Sequence, residues 1–218
     1  MLDFLSTTLV TLLITIDPPG LTPVFLTLTR GMTIRESMEV GIRACIIAFC
    51  ILAFFALGGG RVLELIGISL AAFRIAGGIL LFSIAFEMVF EKRTERKQNS
   101  AQIAITEDHI KNIATFPLAI PLMAGPGSIT AVILLSGRAL QDTAGLGVSL
   151  SMFMLIAVIT LCVILCFIVF WAARPISKFL GITGNIVLSR LLGVVLAGLA
   201  VQFVIDGLLE TIKQMSLS

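Results

Sequence analysis

Asp17 is a carboxylate in an apolar place. It lies in ITIDPPGLTPVFL, Ile14 to Leu26, within a run long enough to cross a membrane. Pro18, Pro19 and Pro23 flank it, and Gly20 follows the first two. Each proline lacks an N–H, so the carbonyl four residues back loses its helical partner. Gly20 adds backbone freedom. A carboxylate at such a break can hold a proton, a cation or an amine. It can also simply accept hydrogen bonds from freed backbone N–H groups, and the sequence leaves both readings open.

A second break has the same character. PLAIPLMAGPGSIT carries Pro117, Pro121, Gly125, Pro126 and Gly127 in another apolar run. PPGLTPVFLTLTRG aligns with GPGSITAVILLSGR, so Pro19-Gly20 falls on Pro126-Gly127 and Asp17 on Ala124. One carboxylate therefore serves the pair. Helices starting near Leu21 and Ser128 would aim their first N–H groups at the breaks. Thr22, Ser128 and Thr130 add hydroxyls. The candidate binding set is Asp17, Pro19, Gly20, Thr22, Gly125, Gly127, Ser128 and Thr130, with Arg74 and Arg190 as cations at the two mouths. The alternatives are prolines that only kink helices and arginines that snorkel to the interface.

The elements that must position these residues follow from composition. The 218 residues are 58% hydrophobic and 13% charged, with a mean hydropathy of +1.10. Soluble domains carry ~25% charged residues, so the chain reads as an all-α membrane protein in contact with the lipid bilayer. A net charge of +2, with no basic stripe beyond one loop, does not point to nucleic acid as a partner. Six spans are predicted: Phe4 to Leu28, Glu39 to Leu57, Leu70 to Phe90, Ile113 to Leu135, Leu146 to Trp171 and Ile186 to Leu209. GGGRVLELIGIS and ARPISKFLGITGN read as turns with interfacial pieces. Phe4 to Asp17 covers about 20 Å at ~1.5 Å per residue, which places the first break inside the middle half of a ~30 Å core. Free backbone groups survive at that depth only against protein or in a wet cavity.

Arg30, Arg35, Arg43, Lys92, Arg93, Arg96, Lys97, Lys111, Arg174 and Lys178 fall on one face, against Arg61, Arg138 and Lys213 on the other. The bias predicts that both termini face the periplasm or exterior. The N-terminus lacks the basic region of a cleaved signal, so the first run is read as a retained helix. LIGIS pairs with FLGIT, and RIAGGILLFSIAFEM with RLLGVVLAGLAVQF, which puts Arg74 on Arg190. Three spans per half force opposite insertion, an inverted repeat of the kind secondary transporters use. The organisation is residues 1–90 as the first repeat, a cytoplasmic polar loop at 91–112, and 113–218 as the second repeat.

The remaining polar groups carry less. The 91–112 loop, with the sole histidine His109, reads as solvated. Glu87 is assigned to the interface, and Asn185, Gln202 and Asp206 are secondary candidates. Gly77, Gly78, Gly193 and Gly198 read as small packing faces. Cys45, Cys50, Cys162 and Cys166 fall in spans with no ligand spacing, so no metal and no cofactor is expected. No HExxH, GxSxG or P-loop occurs, which argues against an enzyme.

IDPPGLTPVFLTLT and PLAIPLMAGPGSIT, with FRIAGGILLF and RLLGVVLAGLAVQFVIDG, resemble the MarC family of bacterial inner-membrane proteins over nearly the whole chain. The resemblance implies kinship with LysE-type exporters, six spans, an inverted repeat and both termini outside. Some relatives are described as transporters of small neutral amino acids such as glycine and alanine. The family commonly has Asn after Asp-Pro-x-Gly, where this chain has Leu21; a ligand contact made by that Asn would have no counterpart here. The reading is a secondary transporter of small neutral amino acids or similar metabolites, with a coupling proton or cation and an oligomer both left open. A passive channel and a non-transporting membrane protein are the alternatives.

Overall fold

The computed structural model describes residues 2–93, 96–98, 113–140 and 147–215; of 174–183, 185 and 214 it describes the backbone alone. His109, Lys111, Asn112 and the rest of the polar loop beyond 98 lie outside the described residues, as do the side chains of Arg174, Lys178 and Asn185.

The chain is all-helical. Helix α1 (Leu2–Ile16) and helix α2 (Pro18–Leu28) form one span interrupted at Asp17. Helix α3 (Ile34–Leu65) and helix α4 (Leu70–Val89) follow. The stretch Ala114–Met123 is a wound, proline-rich segment that leads into helix α5 (Pro126–Leu140) with a bend of 55°. Helix α6 (Val148–Trp171) and helix α7 (Ala173–Met215) complete the chain. Among the described residues five helical stretches are long and apolar enough to cross a membrane, six if the bent pair is one span.

The two broken spans are the inner ones. In Leu2–Leu28, 67% of the apolar window is buried, against 28–39% in the four continuous spans. Along α5 every residue from Ser128 to Gly137 is buried except the half-buried Ile129. The continuous helices instead expose large apolar side chains such as Phe54, Phe153, Val194 and Leu209. Lipid is a good solvent for those side chains and a poor one for an interrupted backbone, so this arrangement puts each where it costs least.

Helices α4 and α7 pack antiparallel through glycines. A Cβ on Gly207 would meet Ala71 O at 2.8 Å, one on Gly78 would meet Ala200 O at 2.7 Å, and one on Gly193 would meet Ala85 O at 3.1 Å. The pairing order runs in opposite senses along the two helices, and the close approach needs residues without side chains. Gly77 serves α5, where its Cβ would lie 2.8 Å from Thr130 Cγ2. Gly198 faces open space and is no packing device.

Two expected turns are helical. Helix α3 runs through Gly58, Gly59 and Gly60, because Gly59 lies against Ile133 and Gly60 near Leu140 of α5. Packing there overrides low helix propensity. The chain turns at Gly67 (φ 76°), where Gly67 N–H donates to Glu64 O and Ile68 N–H to Leu63 O. That bonding satisfies the last carbonyls of α3. Ser69 then accepts from Ala72 N–H and opens α4. In the second half, α7 is helical from Ala173, without the turn expected before Ile186. Pro175 falls in its first turn, where a missing N–H breaks no intrahelical bond.

Candidate functional site

The first break is a helix cap. Asp17 adopts the left-handed conformation (φ 59°, ψ 65°), which Asp tolerates better than most side-chain-bearing residues. Its N–H still closes α1 on Leu13 O, and its C=O opens α2 by accepting from Leu21 N–H. Pro18 and Pro19 need no acceptors in the first turn of α2. The next N–H, of Gly20, donates to Asp17 Oδ1 at 3.1 Å. A Cβ on Gly20 would sit 2.1 Å from Asp17 Oδ2, so only glycine lets the carboxylate fold over the helix start.

Two cations complete this cap. Lys97 Nζ lies 2.9 Å from Asp17 Oδ2, with both side chains buried. Arg93 donates through Nη2 to Thr15 O. That is the carbonyl whose helical donor would have been Pro19. Arg93 and Lys97 are both buried, while Arg96 is exposed. The expectation of a solvated polar loop is therefore corrected at its start: Arg93 and Lys97 are buried, because the break supplies the acceptors they need. Burial pulls the Lys97 ammonium down to about 8, opposed by the Asp17 charge.

The second break is built differently. Phe116 and Ile120 are extended, as residues before proline prefer, and the Phe116–Pro117 and Ile120–Pro121 peptide bonds are cis. Gly125 passes so close to Pro121 that a Cβ would meet its carbonyl oxygen at 2.2 Å. Helix α5 begins at Pro126, with Ile129 N–H donating to Gly125 O. The N–H groups of its first turn, at Gly127 and Ser128, have no intrahelical partner by geometry.

A cleft of about 330 Å³ lies between this break and α4. One wall is Pro121, Leu122, Gly125, Pro126, Gly127 and Ser128. The facing wall is Leu80, Ser83, Ile84 and Glu87 of α4. Arg93, Arg96 and Lys97 close the end nearest the polar loop, and Thr15 brings the first break to its edge. The cleft has a mouth, since Ser83, Arg96, Pro121 and Pro126 are exposed. Glu87 donates nothing when ionised and can accept at both oxygens. Its Oε1 takes Arg96 Nη1 at 2.8 Å, and its Oε2 is buried without a partner among the described residues.

Of the residues singled out from sequence, Gly125, Gly127 and Ser128 line the cleft. Asp17 and Gly20 form the cap beside it, connected to it through Lys97, and Pro19 is half-buried in the same turn. Thr22 and Thr130 are buried behind the two breaks, Thr22 without a hydrogen-bond partner among the described residues. Neither Arg74 nor Arg190 reaches the cleft. Arg74 pairs with Glu210 in a buried position, and Arg190 pairs with Glu91 near the surface. Glu87 moves from the interface into the cleft wall. Lys97, Arg93 and Glu87 are the residues that sequence reasoning left aside.

Known proteins similar to this chain are integral membrane proteins. The model of the MarC family integral membrane protein matches residues 2–212. A UPF0056 membrane protein of Archaeoglobus fulgidus is 38% identical, over 99% of this chain and 97% of its own. The UPF0056 membrane proteins YvbG of Bacillus subtilis and YhcE of Escherichia coli are 33% and 34% identical, covering 95% and 88% of this chain and 95% and 86% of theirs. No solved structure matches the chain. With the match extending from the first helix to the last, the chain belongs to the MarC family of integral membrane proteins.

Proposed function

We propose that the protein is a secondary transporter of small neutral amino acids or similar small metabolites, working across the inner membrane with both termini periplasmic. The observation that carries this reading is the cleft. It is sized for a small solute and lies at one helix break. It borders the other break through Thr15 and Lys97, and three cationic side chains line one end of it. Interrupted helices facing a solute at their exposed ends are how such transporters bind.

The antiparallel α4 and α7 support an inverted pair of three-span halves. Rocking one half against the other would open the cleft to the opposite face. Reconstituted vesicles preloaded with unlabelled glycine or alanine test the reading. A transporter accumulates labelled substrate by counterflow, and its flux saturates. A passive channel gives flux that neither saturates nor shows counterflow, and a non-transporting protein gives no flux.

A further inference from the structure

Within the cleft, donors and acceptors are unevenly placed. Arg93, Arg96 and Lys97 stand at one end, and the free N–H groups of the α5 first turn stand on one wall. An oxyanion would be held there by charge and by backbone donors together. Across from them Glu87 offers a carboxylate. One of its oxygens is engaged by Arg96, and the other is a buried orphan acceptor. A buried carboxylate oxygen without a donor is costly, and a ligand N–H would relieve it. Asp17 already has a donor on each oxygen, Gly20 N–H on Oδ1 and Lys97 on Oδ2, whereas Glu87 Oε2 has none among the described residues.

Resting on the transporter reading, we propose that Glu87 receives the ammonium group of a small zwitterionic solute, whose carboxylate faces the α5 first turn and Lys97. Glu87 is then the residue that selects an amino acid over a simple carboxylic acid. The solute's amine replaces no existing contact, and Arg96 keeps Glu87 oriented through the other oxygen. The cations alone would favour any small acid, so the selectivity lives at Glu87.

Vesicles containing the whole chain are assayed with labelled glycine, acetate and methylammonium, for wild type, Glu87→Gln and Glu87→Asp. Glu87→Gln keeps one acceptor for Arg96, removes the charge and turns the other acceptor oxygen into a donor. The expected result is glycine uptake well above that of either half-molecule, reduced at least about tenfold by Glu87→Gln and partly kept by Glu87→Asp. Acetate moved as well as glycine, with Glu87→Gln unchanged, overturns this assignment and leaves transport standing.

Absence of flux for every solute overturns transport. The ligand assignment then rests on melting in detergent, where glycine stabilises wild type and not Glu87→Gln. No stabilisation by glycine removes the assignment as well. An ammonium beside an oxyanion also occurs in a phosphatidylethanolamine headgroup. Stabilisation by its dihexanoyl form and not by glycine would replace the solute with lipid and overturn the proposal.

Discussion

Lys97 Nζ lies 2.9 Å from Asp17 Oδ2, and neither side chain is more than 6% exposed. The pair joins the polar segment after α4 to the gap between α1 and α2. Removing one member of a buried pair strands the other charge, at a cost of about 3–5 kcal/mol. Lys97→Met should therefore lower the melting temperature in detergent at pH 7 by more than the double variant Asp17→Asn/Lys97→Met. Equal losses in the two variants would show that the pair is not energetically coupled.

The same lysine gives a pH signature. It belongs to the polar segment rather than to a span, and burial holds its ammonium at about 8, below the ordinary lysine value of 10.5. Between those values the unfolded chain binds the proton that the folded chain has released. The sign follows: this contribution to stability is complete above 10.5 and is lost as pH falls through about 8. Its size is on the order of 3 kcal/mol. Wild type should gain stability relative to Lys97→Met as pH rises from about 8 to 10. Parallel curves for the two proteins would contradict the burial of a titrating lysine.

Arg93 and Pro19 make a paired test. Pro19 removes the donor for Thr15 O, and Arg93 replaces it. Arg93→Met leaves that carbonyl unsatisfied, at a cost of about 1–3 kcal/mol. Pro19→Ala supplies the backbone N–H that a continuous helix would donate to Thr15 O. The double variant should be more stable than Arg93→Met alone, read from chemical denaturation in mild detergent. Additive losses would mean that Arg93 serves some other contact.

These dependencies explain what could be read in advance. The spans were legible because hydropathy is a local property, and the breaks because proline and glycine act within a turn. The glycine contacts of Gly78 and Gly193 followed from their place on apolar helices. The insertion of Arg93 and Lys97 was not legible, because a run of charge after a span ordinarily stays in water. A signal existed nonetheless: Asp17 had no counter-ion in its own helix, and the cations Arg93 and Lys97 stand four residues apart. The helical course of Gly58 to Gly60 was hidden for the opposite reason. Its cause is Ile133, more than seventy residues away, and propensity alone argues for a turn.

Gly20 and Gly198 should respond oppositely to alanine. The Cβ of Gly20→Ala would fall 2.1 Å from Asp17 Oδ2 and push the carboxylate off both Gly20 N–H and Lys97. A loss of about 1–2 kcal/mol is expected from the cap alone. Gly198 meets nothing within 4 Å, so Gly198→Ala should be neutral or stabilise by up to ~1 kcal/mol. Thermal melts of the two single variants decide this.

Arg74 and Arg190 make reciprocal ion pairs across the α4–α7 contact. Arg74 of α4 pairs with Glu210 near the end of α7, and Arg190 of α7 pairs with Glu91 just past the end of α4. The environments differ: side-chain exposure is 7% and 22% for the first pair, and 55% and 36% for the second. Water and salt screen the exposed pair, which is worth at most ~1 kcal/mol. Truncating the buried arginine leaves Glu210 poorly solvated and should cost about 3 kcal/mol. Arg74→Met should thus destabilise far more than Arg190→Met in chemical denaturation. Added salt should erase the effect of Arg190→Met and leave most of the effect of Arg74→Met. Equal, salt-sensitive losses would place both pairs at the surface and remove the asymmetry between the two ends of the α4–α7 contact.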